Sequence, residues 1–242
     1  MDRAIEKFNE ASGYWQSNHI TSLYTIILDD VKADKLKKNT ARDIFKAIEQ
    51  VNKSESKKAS KTISKVAKKN KAYFPAFIIQ GDIFSNWDKN EEAEEAFTKA
   101  ISLEVHSALP NVFRGKFYAK TDRVDLAILD FTEAISRDSS YTLSFFERGF
   151  INTLNRNYDE AIQDFDIVNQ LNPEWAKSTI VFEAFHNRGI ERIQKKAYHK
   201  AVEDFNRAIE INPDYLNAYL NRGRAYKNLK NILQLLKILA TL

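Results

Sequence analysis

The 242-residue chain contains no cysteine. That excludes disulfides, thiolate nucleophiles, iron–sulfur clusters and cysteine zinc sites. Glycine is scarce, at 6, and so is proline, at 4, where an average chain carries ~7% glycine and ~5% proline. Sheet proteins and α/β enzymes need many tight turns and phosphate loops, so the shortage points to helix. No run approaches the ~18 apolar residues that a membrane-spanning helix needs. The longest apolar-rich piece, Ile232 to Leu242, is short and interrupted by Gln234 and Lys237. The opening residues Met1 to Lys7 mix charges without an apolar stretch, unlike a signal peptide, so a cytoplasmic location is expected.

Apolar residues make up 43% of the chain and charged residues 29%, enough to build a packed core. The net charge of +4 is unevenly spread. Residues 32–71 carry 14 basic and 4 acidic groups, whereas the segments on either side are each slightly acidic.

Five of the six glycines, Gly81, Gly115, Gly149, Gly189 and Gly223, are spaced by 34, 34, 40 and 34 residues. Twelve residues after the first four comes alanine (Ala93, Ala127, Ala161, Ala201), and sixteen after comes phenylalanine (Phe97, Phe131, Phe165, Phe205). Nineteen after comes another small residue: Ala100, Ala134, Val168 or Ala208. Within each unit the apolar residues recur at helical intervals, as in Ala201, Val202, Phe205, Ala208 and Ile209. Each unit therefore reads as two amphipathic helices. The small residues allow a close approach, and the phenylalanine fills the groove beside it. Asn172-Pro173 and Asn212-Pro213 are start signals for the next helix.

The 34-residue period and the recurrent Gly, Tyr, Ala, Phe, Ala, Pro pattern, clearest over Ala197 to Tyr215, resemble the tetratricopeptide repeat family. The resemblance covers about two-thirds of the chain. It implies an all-α fold: a solenoid of helical hairpins coiled into a right-handed superhelix, here behind an N-terminal helical extension. Units are expected at 74–107, 108–141, 142–175, 182–215 and 216–242, after an extension over 1–73. Within that extension, residues 40–73 read as a degraded unit, with Ala47 in the glycine place and Ala59, Ile63 and Val66 at the small, aromatic and small places. Residues 1–39 suggest two more helices, with Ile5, Phe8, Ser12 and Trp15 on one face of the first. Ile20, Leu23, Tyr24, Ile27, Leu28 and Val31 lie on one face of the second. Six residues are added between the third and fourth units, and nothing breaks a helix from Glu174 to about Gln194. One long helix across 174–194 is expected, with Trp175 and Ile180 on its projection.

Three units pair an arginine before the glycine with an aspartate sixteen residues on: Arg114/Asp130, Arg148/Asp164 and Arg188/Asp204. The 74–107 unit lacks both, having Gln80 and Ala96, so a structural bridge between the two helices of a unit is the reading. Arg222 has no such aspartate and is left to a partner or to solvent.

No motif of catalysis is present. The four histidines form no metal-helix pattern, and there is no phosphate loop, dinucleotide fingerprint or nucleophile elbow. The reading is a protein with no catalytic residues, no metal, no cofactor and no small-molecule substrate. It is a protein–protein interaction module, an adaptor or assembly scaffold for a protein or peptide partner.

The resemblance implies that the first helix of each repeat lines a concave groove. Carried over position by position, this gives Ile78, Asp82, Leu109, Val112, Lys116, Leu143, Phe146, Phe150, His186, Ile190, Asn217, Leu220, Arg224 and Lys227. An apolar middle with a basic end suits an extended or helical peptide with an acidic flank. The lysine and asparagine clamp by which co-chaperone repeats hold a terminal carboxylate has no match here. An alternative lies in the basic segment 53–71. Its Lys57, Lys58, Lys61, Lys65, Lys68 and Lys69 would suit nucleic acid or an anionic membrane surface, although no aromatic interleaves them. At the C-terminus, Leu235, Leu239 and Leu242 fall in register as a second repeat helix. Ile232, Leu233, Leu236, Ile238 and Leu239 form an apolar surface for self-association, so a homo-oligomer is expected.

Overall fold

The computed structural model describes residues 18–239, with side chains from 22 to 230. These residues form α1 (Asn18–Lys32), α2 (Lys38–Asn52), α3 (Ser56–Lys69), α4 (Phe74–Ser85), α5 (Asn90–Leu103), α6 (Leu109–Lys120), α7 (Val124–Arg137), α8 (Thr142–Leu154), α9 (Tyr158–Leu171), α10 (Thr179–Gln194), α11 (Tyr198–Ile211) and α12 (Leu216–Leu239). Among the described residues there is no strand. The fold is the expected all-α solenoid of tetratricopeptide type. Its contacts divide into two compact units, Met1–Ser144 and Phe145–Leu242. The first-helix reading on Ile5, Phe8, Ser12 and Trp15 lies outside the described residues, as do the side chains of Ile232, Leu233, Leu235, Leu236, Ile238, Leu239 and Leu242.

Four hairpins are built on one contact. A Cβ placed at Gly81, Gly115, Gly149 or Gly189 would stand 2.7 Å from the ring of Phe97, Phe131, Phe165 or Phe205, sixteen residues on. Those four rings are among the largest fully buried side chains. Real Cβ atoms do not approach so closely, so only glycine lets the ring lie flat on the first helix. The α2–α3 hairpin, the degraded unit, solves the same problem with smaller volumes. Ala47 takes the glycine place and Ile63 the ring place, and both are fully buried.

Each hairpin turns by the same cap. The seventh residue after the glycine position has positive φ: Ser54 (58°), Asp88 (57°), Asp122 (59°), Arg156 (63°) and Lys196 (60°). The next amide bonds back to a carbonyl five residues earlier, as in Lys89 N to Phe84 O (2.9 Å), Asn157 N to Asn152 O (2.9 Å) and Ala197 N to Arg192 O (2.7 Å). This is the Schellman arrangement, which satisfies carbonyls left over at a helix end. Pro75 and Pro110 sit in the first turns of α4 and α6, where a missing N–H costs nothing.

The arginine–aspartate pairs are formed. Arg148 binds Asp164 through Nε (2.9 Å) and Nη2 (2.7 Å), and Arg114 binds Asp130 through Nε (2.8 Å) and Nη2 (2.9 Å). Arg188 reaches Asp204 through Nη2 at 2.8 Å and Asp159 through Nη1 at 2.7 Å. The aspartates are buried, and burial pushes the Asp164 and Asp204 carboxyls up against the pull of their arginines. The pairs thus satisfy a charge that the packing would otherwise strand. Arg222 donates instead to Asn206 Oδ1 at 2.7 Å, so it is neither free nor left to solvent.

Two expectations are corrected. Residues 174–194 are not one helix. A 3₁₀ turn over Trp175–Lys177 ends at Ser178, whose extended backbone (φ −67°, ψ 152°) starts α10 at Thr179. The Ser178 hydroxyl makes no cap hydrogen bond, so the break lies in its backbone conformation. Trp175 packs locally, edge-on to Phe146 with ring centroids 5.6 Å apart. The expected hairpin over 216–242 is also absent, because α12 runs as a single helix of 24 residues. Lys230, in the turn place, stays helical. Left-handed backbone costs a lysine about 1 kcal/mol, which continued helix avoids.

Gly149→Ala is expected to lower stability by about 1–3 kcal/mol through overpacking against Phe165. Urea or thermal unfolding would measure it, and a neutral result would show that the ring can shift.

Candidate functional site

The first helices of the repeats are α4 and α6 in the first compact unit and α10 and α12 in the second, with α8 beginning at Thr142. In the first unit these helices are not bare. Helix α1 touches α2, α4 and α6. It buries Leu23, Ile27 and Val31, one face at four-residue spacing. The Tyr24 ring meets Phe45 edge-on at 5.6 Å. Its phenol is pushed up to about 12 by burial, helped by the Asp82 carboxylate. Burial pushes Asp82 up as well, opposed by Lys120 and Lys116. Towards the C-terminal end of α1, Tyr73 is shifted upward by burial and by Asp30, and towards its N-terminal end Tyr141 lies 3.5 Å from Ser22 Oγ.

Most of the groove positions of this unit are not exposed. Ile78, Leu109, Val112 and Leu143 are buried, and Asp82 and Lys116 are partly so. The pattern gave α1 its apolar face but not its seat: a helix that covers a groove and a helix that covers a core share one periodicity.

In the second unit the same positions fall into two groups. Phe146 is partly buried against Phe165 and Trp175. His186 is 6% exposed. Its Nε2 lies 3.0 Å from the Asn221 amide nitrogen, and its Nδ1 lies 3.3 Å from both Asn187 Oδ1 and the Tyr215 hydroxyl. Those partners place the proton on Nδ1, and burial holds the ring's pKa below its usual value. Both residues support the fold. Phe150 (38% exposed), Leu220 (58%), Asn217, Arg224 and Lys227 face outward, and Ile190 is half-buried.

Helix α3 presents Lys57, Lys58, Lys61, Lys65, Lys68 and Lys69, all exposed. Lys58 pairs with Glu55 at 2.6 Å. Lys57, Lys61, Lys65 and Lys68 recur along one helical face. Among the described residues no cluster of three or more acidic or histidine side chains could hold a metal, and no helix is long and apolar enough to cross a membrane.

The comparisons with known proteins agree with this geometry. A family model described as a tetratricopeptide repeat matches residues 74–104, and a second, described as a TPR repeat, matches residues 189–230. The chain carries tetratricopeptide repeats at both places. Its fold resembles that of YrrB, a protein described as having an unusual peptide-binding site. The two share 21% identity and a TM-score of 0.55, over 81% of this chain and 97% of that one. It also resembles MamA (19% identity, TM-score 0.56, 73% and 93% covered). A tetratricopeptide repeat protein from Parabacteroides merdae is similar too (21% identity, TM-score 0.56, 79% and 73% covered). A serine/threonine-protein phosphatase T from Aspergillus oryzae is 29% identical over 100 residues, 40% of this chain. The tetratricopeptide chain spans only 20% of that relative's length. Its repeats make it a protein–protein interaction module.

Because the folded state holds His186 neutral, the unfolded chain binds the extra proton. Stability is full above the ordinary histidine value of about 6.5 and declines as pH falls below it. Thermal midpoints are expected to fall between pH 7.5 and 5.5, and His186→Gln should flatten that slope. An unchanged slope would remove His186 as the cause.

Proposed function

We propose that this protein is a non-enzymatic adaptor or assembly scaffold that captures an apolar helix or peptide on the first helices of its second compact unit. Phe150, Ile190 and Leu220 are the apolar contacts. Asn217, Arg224 and Lys227 form a polar and basic end for an acidic flank on the partner. The reading is carried by one observation, that α1 already lies as an amphipathic helix on α4 and α6 in the first unit. First helices of this chain thus accept a helix, and in the second unit Phe150 and Leu220 stay exposed. The partner is a protein or peptide, met in the cytoplasm, with no cofactor.

The exposed lysines of α3 favour a second reading, an accessory protein that docks on nucleic acid or an anionic membrane surface. Such binding would be ionic and would weaken steeply with salt.

Phe150→Ala combined with Arg224→Glu should strip specific partners from the tagged protein in affinity purification from its native cells, with helical content unchanged by circular dichroism. Retention of the same proteins would defeat the groove reading. For the second reading, an oligonucleotide or a phosphatidylserine vesicle at low salt should bind the parent chain and lose Lys57→Glu/Lys61→Glu/Lys65→Glu. No binding of either would sink it.

A further inference from the structure

The last glycine differs from the four before it. A Cβ at Gly223 would meet nothing within 4 Å, and the position is exposed. On either side, Tyr219 is 40% exposed and Tyr226 52%. This is the seat that receives a phenylalanine in each earlier glycine-marked hairpin, here left empty. The second helix that would fill it lies in line with the first, because Lys230 does not make the turn.

The sequence still carries the filler. Counted from Gly223, Leu235, Leu239 and Leu242 stand twelve, sixteen and nineteen residues on, where the other units have their small, aromatic and small residues. A straight helix cannot bring its own second half onto its first. A second copy, laid antiparallel, can. An opened hairpin paired with its twin reproduces every contact of the closed one, because each copy supplies one seat and one filler. The symmetry axis then passes halfway between Gly223 and Leu239, at Asn231. The 24 residues of α12 give a rod of about 36 Å, long enough for both seats.

We propose that two copies of this chain exchange the C-terminal halves of α12. Residues 232–242 of each copy lie on the Tyr219–Gly223–Tyr226 face of the other, in a closed two-fold dimer. Exchange of an identical element is a low-cost route to a dimer when a hinge stays extended, and Lys230 is that hinge. The surface is distinct from Phe150 and does not depend on the groove reading.

Light scattering on the full chain should give twice the 28.0 kDa chain mass. Gly223→Phe puts a ring in the seat from within, with a Cβ that meets nothing within 4 Å, so it should halve the measured mass with helical content unchanged. Lys230→Gly makes the left-handed turn cheap and should also favour the monomer. Because the chain has no cysteine, Asn231→Cys should cross-link two copies under mild oxidation, whereas Lys57→Cys should not. A monomer at the highest soluble concentration overturns the proposal. So does a dimer that persists in Gly223→Phe, or one that Asn231→Cys fails to trap.

Discussion

Four of the hairpins depend on a ring lying flat on a glycine. At Gly81, Gly115, Gly149 and Gly189 the missing Cβ makes room for the phenylalanine of the second helix. Burial of that ring drives the helices together, at about 25 cal/mol for each Å² of apolar surface removed from water. The other features of a unit derive from this closeness. The aspartate beside the phenylalanine is buried and must meet an arginine. The turn between the helices must reverse the chain in few residues, so a left-handed residue is accepted there even when it is arginine or lysine. The turn does not require the ring itself, since the α2–α3 hairpin makes it at Ser54 with Ile63 in the ring place.

Much of this was legible in the sequence because the repeat states it four times. The glycine-to-phenylalanine spacing and the Arg–Asp pairs were readable from residue identity alone. The α2–α3 hairpin could be read although its glycine is Ala47, since Ile63 shrinks as Ala47 grows. Two features escaped such a reading. Ser178 interrupts an otherwise unbroken helical pattern, and a single polar residue carries too little signal to mark a break. Lys230 stays helical where Lys196, of the same residue type, turns, so the identity of the turn residue carries no signal.

The site was harder to read than the fold. Position within a repeat says which helix face a residue occupies, but not whether that face is open. Ile78, Leu109 and Val112 were placed on the groove, and they are buried. Phe146 and His186 occupy positions of the same kind and are consumed by packing, against Trp175 in one case and Asn221 and Tyr215 in the other. Phe150 and Leu220 stay outward. Exposure is a property of pairs of elements distant in the chain, and one sequence does not encode it locally.

Helix α1 is joined to α2 by residues 33–37 alone. A ligand tethered by so short a link acts as if present at millimolar concentration. A free helix would have to displace that standing neighbour before it could lie on α4 and α6.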